Sequence, residues 1–299
     1  MHPPWLKKRL FWSAESSKTT QILRNLHLNT VCENAHCPNI IECFSNNTAT
    51  FLILGNTCTR SCKFCAIGTS PDKKTNPVID NEEPYRIANA VKELNLTHVV
   101  ITSVTRDDLS DGGAEQFANT IKAIRKITDN IIIEVLTPDF KGIANSVKKV
   151  LDANPNVFAH NIETVPRLYN LARSQANYLT SLTLLKIAKK MNTNIYTKSG
   201  IMLGLGETKE EVLQVMYNLR EIGCDILTLG QYLQPSTLNL KVAEYIKPEI
   251  FDEYKTIGIS CGFKEIVSGP FVRSSYNLAK MNLFTKKDTG FPTFVRQDA

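Results

Sequence analysis

Six short apolar runs alternate with amphipathic segments along most of this 299-residue chain. The runs are rich in Val, Ile and Leu without regular polar alternation, which predicts strands that are covered on both faces. These predicted strands are 50–55 (TFLILG), 98–103 (HVVITS), 130–136 (NIIIEVL), 157–162 (VFAHNI), 194–203 (NIYTKSGIML) and 225–233 (DILTLGQYL). Apolar residues at i, i+3 and i+4 predict helices over 84–95, 113–127, 142–154, 180–191, 208–223 and 247–260. This alternation predicts a parallel α/β sheet, either an open doubly wound sheet or a partial barrel.

Polar clusters follow each of the six predicted strands. In chain order they are CTRSCKFC, SVTRDDLSDGG, LTPDF, NIET, GLGET and QYLQPS. The carboxyl ends of parallel strands meet at one edge of a sheet or one mouth of a barrel, and ligands bind there in both architectures. One such cluster is an ordinary polar cap, but a cluster after every strand predicts an active site at that mouth.

The composition and the N-terminus restrict the class of protein. The hydrophobic fraction of 42% allows a large core, and no apolar stretch approaches the roughly 18 residues of a membrane span. The stretch MHPPWLKKRL lacks the apolar region of a secretory signal, with a transit peptide as the less favoured alternative. The net charge of +6 fits an acidic partner, but no basic run with interleaved aromatics indicates nucleic acid. We expect a cytoplasmic protein whose cysteines are metal ligands or catalytic groups, not disulfides.

The eight cysteines comprise two groups of three and two isolated residues. Cys224 and Cys261 stand alone, and we expect both to behave as small buried apolar side chains. The stretch CTRSCKFC holds Cys58, Cys62 and Cys65 in the spacing C-x3-C-x2-C. This spacing lets three thiolates from a single loop turn toward one centre.

The missing fourth ligand distinguishes two kinds of metal site. A structural zinc ion needs four ligands, and no histidine lies between Cys43 and Thr97 to supply the last one. An iron–sulfur cluster held by three thiolates suits the spacing better. Its fourth iron would be open to a substrate or cofactor, as the open position is in catalytic zinc sites.

CTRSCKFC resembles the signature of the radical S-adenosylmethionine (radical SAM) superfamily, with the aromatic Phe64 directly before the last cysteine. The resemblance implies that Cys58, Cys62 and Cys65 are catalytic and hold a [4Fe–4S] cluster whose open iron binds SAM. It also implies that the reduced cluster cleaves SAM to a 5′-deoxyadenosyl radical, which takes hydrogen from unactivated C–H bonds. The cofactor supplies the difficult chemistry and the protein positions it.

A second triplet, in TVCENAHCPNIIEC, has the spacing C-x4-C-x5-C, for which a zinc site with His36 is the alternative. Together with CTRSCKFC and the C-terminal GPFVRSSY (269–276), it resembles the lipoyl synthase family. The resemblance runs from PPWLKKRL to RSSY and includes TSVTRDDLSDGGA, EVLTPDF, HNIETVPRLY, KSGIMLGLGET and GQYLQPS. Three positions depart from the family pattern: Asn56 for Asp, Ile41 for Gly and Asn277 for His. None of them is an expected ligand.

The resemblance implies an auxiliary [4Fe–4S] cluster held by Cys32, Cys37 and Cys43. Its fourth ligand would be Ser275, which thereby takes part in catalysis, with Ser274 as the alternative. A serine oxygen is a poor partner for iron beside thiolate, so the iron that it holds can be given up. Without the resemblance, RSSY would be interpreted as a surface tail.

The implied architecture is a partial (β/α)6 radical SAM barrel over 48–262. An N-terminal extension, 1–47, carries the auxiliary cysteines, and a C-terminal segment, 263–299, carries RSSY.

The implied reaction is the insertion of two sulfur atoms at C6 and C8 of an octanoyl chain on a carrier lysine, with the auxiliary cluster as sulfur donor. Two SAM molecules are cleaved for each lipoyl group. The expected carriers are lipoyl domains of 2-oxoacid dehydrogenases and the glycine cleavage H protein. These carriers are often acidic, which suits the basic charge of this chain. An electron donor and an iron–sulfur carrier are further expected partners, and neither nucleic acid nor membrane is.

Secondary contacts to SAM are expected at the strand ends. Asn161 and Glu163 could hydrogen-bond its ribose or its methionine part, although a polar strand cap is the alternative. Gly204 and Gly206 could let the backbone approach a ligand, or could simply form a tight turn. Arg273 could pair with a carboxylate or a group beside a cluster, with a surface salt bridge as the alternative.

Two other classes of protein remain as alternatives. Biotin synthase and methylthiotransferases also insert sulfur, but the N-terminal triplet and RSSY argue against both. A basic, zinc-stabilised nucleic-acid-binding protein would need complete four-ligand sites and a basic face.

Overall fold

Seven parallel strands form one sheet in the computed structural model, which describes residues 3–8, 13–70, 76–128 and 130–275. The sheet strands are β1 (Thr50–Ile53), β4 (His98–Ser103), β5 (Ile132–Leu136), β6 (Val157–Ala159), β7 (Tyr196–Leu203), β8 (Ile226–Gln231) and β9 (Glu265–Gly269). Two further short strands, β2 (Thr57–Cys58) and β3 (Gly68–Thr69), pair with each other beside this sheet.

The seven sheet strands lie side by side in the order in which they occur in the chain. A doubly wound sheet instead reverses its strand order at a switch point, so that alternative is wrong. Because parallel crossovers are right-handed, sequential order places every helix on the same face of the sheet and curls the sheet toward a barrel. Within the described residues, β1 and β9 are the two sheet edges, which makes the barrel partial, as the resemblance implied.

All six predicted strands are present, and their ends agree with the prediction to within three residues. The seventh strand, β9, was not predicted. Its sequence EIVSG is short and half-exposed, so it lacks the apolar run that marked the other six. It lies in the predicted C-terminal segment 263–299 yet pairs with β8 throughout. The division of the chain into three segments stays a prediction.

The six predicted helices form within two residues of the expected ends. They are α4 (Glu83–Glu93), α5 (Ala114–Ile127), α6 (Ala144–Asp152), α8 (Tyr178–Met191), α9 (Lys209–Glu221) and α10 (Pro248–Ser260). Four helices were not predicted, namely α1 (Ala14–Asn25), α2 (Val31–Asn34), α3 (Ile40–Ser45) and α7 (Tyr169–Ala172). Three of these four are six residues or shorter, too short to show a clear helical period. No helix in the described ranges has the length and hydropathy needed to cross a membrane.

A buried ion pair crosses the interior of the partial barrel. Lys198 on β7 donates from Nζ to Oε1 (2.8 Å) and Oε2 (3.1 Å) of Glu134 on β5, and Nε2 of His98 on β4 lies 3.6 Å from Oε2 of Glu134. Glu134 and Lys198 are at most 1% exposed. Burial alone raises the pKa of the Glu134 carboxyl, but the charge of Lys198 opposes the rise and the pKa lies below its ordinary value. The ion pair therefore joins β5 to β7 through charge.

The N-terminal and C-terminal segments are held against each other and against β8. The buried side chain of Asn39 donates from Nδ2 to the carbonyl oxygen of Phe271 (2.7 Å) and accepts from Nζ of Lys8 (3.1 Å). Lys8 also lies over the Phe271 ring, 5.5 Å from its centroid. A Cβ atom on Gly230 of β8 would lie 2.1 Å from the carbonyl oxygen of Val272, so only glycine admits this contact.

We expect Lys198→Met to lower the free energy of unfolding by about 3–5 kcal/mol, because it leaves the buried Glu134 carboxylate without its partner. The double variant Glu134→Gln/Lys198→Met should recover much of that loss. Urea denaturation at neutral pH measures both values. The control is Lys148→Met, which removes an exposed partner of Asp152 and should cost less than about 0.5 kcal/mol. A loss in Lys198→Met no larger than in the control would contradict this prediction.

We expect Gly230→Ala to displace the segment 269–275 from β8, because the new methyl group would overlap the Val272 carbonyl. Overpacking of this kind costs about 1–3 kcal/mol. Proteolysis within 269–275, followed by mass spectrometry, should become faster. The control is Gly269→Ala, in the facing register position, whose Cβ would meet Cγ2 of Val272 at 3.5 Å. Equal cleavage rates in the two variants would show that the close contact does not hold the segment.

Candidate active site

A cavity of about 350 Å³ opens beside the carboxyl ends of β7 and β8. It is lined by residues from six separate regions of the chain. Among the expected site residues, its lining includes Cys32, Cys37, Phe64, Cys65, Asn161, Glu163, Arg273, Ser274 and Ser275. Of the six polar clusters predicted to share one mouth, CTRSCKFC, NIET and QYLQPS contribute to this lining, whereas SVTRDDLSDGG, LTPDF and GLGET do not. The N-terminal and C-terminal segments contribute the rest of the polar lining named here.

The loop CTRSCKFC is held by backbone hydrogen bonds to its cysteine sulfurs. Cys58 Sγ accepts from the backbone N–H groups of Thr105 (3.3 Å) and Arg60 (3.4 Å), and Cys65 Sγ accepts from that of Ile67 (3.4 Å). The Cys65 N–H donates to the carbonyl oxygen of Cys62 (3.1 Å), which turns the chain back on itself. Amide donors already point at two of the three sulfurs, as they do around bound clusters.

Burial makes the thiolate forms of these cysteines costly in the absence of a cation. It raises the pKa of Cys62 to about 11, against the opposing charge of Arg173. It raises the pKa of Cys65 to about 12, and the neighbouring Cys62 and Cys58 add to the rise. Metal centres bind thiolates and displace the thiol protons. A metal centre bound here would therefore offset the electrostatic repulsion among the three neighbouring thiolates.

The second triplet lies on α2, α3 and the turn between them. The N–H of Cys37 donates to the carbonyl oxygen of Cys32 (3.0 Å), and the N–H of Cys43 donates to that of Asn39 (2.9 Å). Burial raises the pKa of Cys32 to about 12 and that of Cys43 to about 11. In both cases the nearby Cys37 adds to the rise, so the three sulfurs of this triplet interact electrostatically with one another.

The segment before Tyr276 brings a guanidinium and two hydroxyls to the same cavity. Arg273 donates from Nη1 to the Val272 carbonyl oxygen (2.7 Å). Burial lowers the pKa of Arg273, and the nearby Cys37 opposes that shift. Ser274 and Ser275 are both half-buried at the cavity wall. Tyr276 and Asn277, which belong to the motif's end, lie outside the described residues.

Glu163 lies on the cavity wall in a left-handed backbone conformation, with φ of 69°. Its N–H donates to the Gly200 carbonyl oxygen (2.9 Å), and its own carbonyl accepts from the Met202 N–H (2.8 Å), so β7 fixes this conformation. The Asn161 Nδ2 donates to Glu163 Oε1 (3.1 Å). Burial raises the pKa of the Glu163 carboxyl, while Arg173 and Asn161 oppose the rise. Non-glycine residues in this conformation cluster at functional sites.

Two predicted glycines lie apart from the cavity, and two others line it. Gly204 has φ of 97°, and a Cβ there would lie 2.3 Å from both Gln231 Nε2 and the Glu244 carbonyl oxygen. Gly206 has φ of 105°. These values fit the turn alternative, and a contact to SAM stays a prediction. Gly200 and Gly230, which sequence reasoning missed, lie on the cavity wall.

No period along the strands marks these two glycines. The consecutive residues Gly200, Ile201 and Met202 on β7, and Gly230 and Gln231 on β8, all line the cavity. Arg173 was also missed, because it follows no predicted strand. Its Nη1 donates to the Asn161 carbonyl oxygen (3.0 Å), and its Nε is buried without a hydrogen-bond partner in the described residues.

The two isolated cysteines and the zinc alternative can be compared with the structure directly. Cys224 is buried, as predicted, whereas Cys261 is half-buried. All eight cysteines lie in the described ranges and form no disulfides. Within those ranges, no three His, Cys, Asp or Glu side chains gather closely enough to hold a single metal ion. The choice between zinc and an iron–sulfur cluster at each triplet stays a prediction.

Known structures resemble this fold. The crystal structure of methylornithine synthase aligns with a TM-score of 0.53, covering 94% of this chain and 89% of that one at 12% identity. At this identity the likeness shows the fold alone.

Sequence comparison identifies the family. A model of the radical SAM superfamily matches residues 52–217. A lipoyl synthase of Caldicellulosiruptor saccharolyticus is 55% identical over 275 residues, which cover 92% of this chain and 95% of that protein. A lipoyl synthase of Caldanaerobacter subterraneus subsp. tengcongensis is 52% identical over the same shares of each chain. The expected enzyme class is confirmed, and the nucleic-acid-binding alternative is wrong. The chain belongs to the lipoyl synthase family of the radical SAM superfamily.

Proposed function

We propose that this enzyme inserts sulfur at C6 and C8 of a protein-bound octanoyl chain, with the two cysteine triplets holding separate [4Fe–4S] clusters. Membership in the family implies SAM, one [4Fe–4S] cluster and a protein-bound octanoyl substrate. The second cluster, its ligands and the identity of the carrier are our proposal. The observation that carries it is the single cavity that residues of both triplets and Ser275 line together.

Cys58, Cys62 and Cys65 would hold the cluster that binds SAM. The loop fits a four-iron cluster with one open iron. It offers three thiolates, amide donors to two of the sulfurs and no fourth protein ligand of its own. When bound, the reduced cluster and SAM together supply a 5′-deoxyadenosyl radical that removes hydrogen from the octanoyl chain. The chain's own residues position these groups and shield them from solvent.

Asn161 and Glu163, which also line the cavity, would contact SAM. The oxygens of the Glu163 carboxyl and the side-chain amide of Asn161 can form hydrogen bonds with the ribose or the methionine part. Gly200 leaves space beside them, since a Cβ there would lie 2.9 Å from Asn161 Oδ1. Phe64, on the same wall as Cys65, adds apolar surface for the ligand.

Cys32, Cys37 and Cys43 would hold the auxiliary cluster, which serves as the sulfur-donating substrate, with Ser275 as its exchangeable fourth ligand. The fold supports this assignment, because Asn39 ties the N-terminal segment to Phe271, four residues before Ser275. The Arg273 guanidinium, close to Cys37, would balance the negative charge that three thiolates bring to this site.

The carrier of the octanoyl chain would be an acidic protein. Lipoyl domains of 2-oxoacid dehydrogenases and the glycine cleavage H protein are the proposed carriers, and the net charge of +6 supports acidic ones. An electron donor must reduce the first cluster, and an iron–sulfur carrier must restore the second one. The cytoplasmic location stays a prediction.

Alanine replacements should separate the two triplets. Any of Cys58→Ala, Cys62→Ala or Cys65→Ala should abolish 5′-deoxyadenosine formation, because SAM loses its iron. Any of Cys32→Ala, Cys37→Ala or Cys43→Ala should keep SAM cleavage but form no lipoyl product. Iron and acid-labile sulfide should fall from about eight to about four of each per chain in both sets, as two four-iron clusters require.

The matched control is Cys261→Ala, a half-buried cysteine outside both triplets, which should keep both clusters and full turnover. Lipoyl product from a variant of the second triplet would contradict the sulfur-donor role. Zinc without sulfide in the unaltered protein would overturn both cluster assignments.

Ser275→Ala should reduce lipoyl formation by more than about tenfold while leaving SAM cleavage in place, since only the auxiliary site loses a ligand. Ser274→Ala is the control, one residue away on the same cavity wall. Product mass and 5′-deoxyadenosine are measured in the same reaction. Normal product from Ser275→Ala together with loss in Ser274→Ala would move the ligand to Ser274.

A further inference from the structure

The loop that carries the first cysteine triplet is tied to the barrel by one buried arginine. Arg60 lies between Cys58 and Cys62 and is 7% exposed. Its Nε and Nη2 donate to the two carboxylate oxygens of Asp107 (2.7 and 2.9 Å). Its Nη1 and Nη2 donate to the two carboxylate oxygens of Asp139 (2.6 and 2.8 Å). One guanidinium therefore makes paired hydrogen bonds to two carboxylates at once.

The two aspartates come from loops that follow adjacent strands. Asp107 follows β4, and Asp139 follows β5. The Asp107 N–H donates to Thr59 Oγ1 (3.0 Å), and the Thr59 N–H donates to the carbonyl oxygen of Thr105 (3.0 Å). Thr59, the residue before Arg60, is thus hydrogen-bonded to the loop after β4. These bonds hold the cysteine loop against the same loop that Arg60 contacts through Asp107.

The backbone after Asp139 adopts a conformation that few sequences tolerate. Phe140, Lys141 and Gly142 all have positive φ, of 46°, 52° and 74°. The Lys141 N–H donates to Asp139 Oδ1 (3.0 Å), which closes this turn around the carboxylate. Two consecutive non-glycine residues in the left-handed region are unfavourable unless the surrounding structure fixes them. Here the turn aims the Asp139 carboxylate at Arg60.

The clamp formed by Arg60, Asp107 and Asp139 lies next to the proposed cluster ligand Cys58 in the chain and in the hydrogen-bond network. The backbone N–H of Arg60 itself donates to Cys58 Sγ (3.4 Å), as does that of Thr105 (3.3 Å), two residues before Asp107. Moving the cysteine loop away from the loop after β4 would therefore separate the Thr105 N–H from the Cys58 sulfur. Groups that hydrogen-bond or orient metal ligands commonly decide how well a metal centre is held.

We propose that Arg60 is a positioning residue, which through Asp107 and Asp139 holds the loop with Cys58, Cys62 and Cys65 in its ligand-binding shape before any cluster is present. The inference rests on the proposed function only for the role of that loop. Lysine cannot replace Arg60, because a single ammonium group cannot bind two carboxylates in a paired fashion.

The test measures alkylation rates of individual cysteines by iodoacetamide in the full-length chain without clusters, read by peptide mass spectrometry. Arg60→Gln should raise the rates at Cys58, Cys62 and Cys65 by about tenfold to a hundredfold, as the loss of charge-assisted hydrogen bonds predicts for local opening. Arg60→Lys should give a similar rise. After loading, Arg60→Gln should lose iron from this site faster on dilution into chelator.

Internal controls separate a local effect from general destabilisation. Cys224, which is 1% exposed, reports global unfolding and should keep its rate, as should Cys32, Cys37 and Cys43. The matched variant is Arg167→Gln, which removes an exposed paired contact to a single carboxylate, that of Glu211, away from the loop. That variant should leave all rates unchanged.

Unchanged rates at the three loop cysteines, or an equal rise at Cys224, would overturn the positioning role. If Arg60→Gln does not fold, Asp139→Asn removes half of the clamp and should still raise the three rates selectively. None of these readouts depends on lipoyl formation. Failure here would therefore leave the proposed reaction standing, and failure of that reaction would not alter these rates.

Discussion

Parallel strand pairing in sequential order is the constraint on which the rest of this structure depends. Because each strand begins at the same end of the sheet, every loop that follows a strand returns to one mouth. The cysteine loop after β1, the aspartates after β4 and β5, and Glu163 after β6 become neighbours for this reason alone. An antiparallel strand among them would have sent the loop that follows it to the opposite edge.

Buried charge then determines the shape of that mouth. Glu134 and Lys198 join strands inside the barrel, while Arg60 joins the cysteine loop to the loops beside it. Such groups are costly to bury, and they are tolerated because each charge has a fixed partner. Paired charges also restrict geometry more than apolar packing does, since hydrogen bonds have narrow ranges of distance and angle. A site that positions a [4Fe–4S] cluster and SAM benefits from that restriction.

The sequence predicted the six principal strands and helices because each shows its own period over enough residues to be recognised. It did not predict β9, whose half-exposed sequence shows no such period, nor the short helices α2 and α3 that carry the second triplet. Resemblance supplied the role of those cysteines where local pattern could not. The sequence did not identify Gly200, Gly230 and Arg173 as site residues. Each acts through a close contact with another segment of the chain, and only the folded chain defines that contact.

The sequence by itself determined the parallel α/β architecture, the two cysteine triplets and the family, because these depend on residue type and spacing along the chain. Only the tertiary structure decided that the N-terminal and C-terminal segments close one cavity, through Asn39, Phe271 and the bare backbone of Gly230. It also decided which carboxylates face Arg60. Such contacts join residues far apart in the chain, some more than 200 positions. No local period encodes them, so their partners are set by how the sheet curls and where its loops meet.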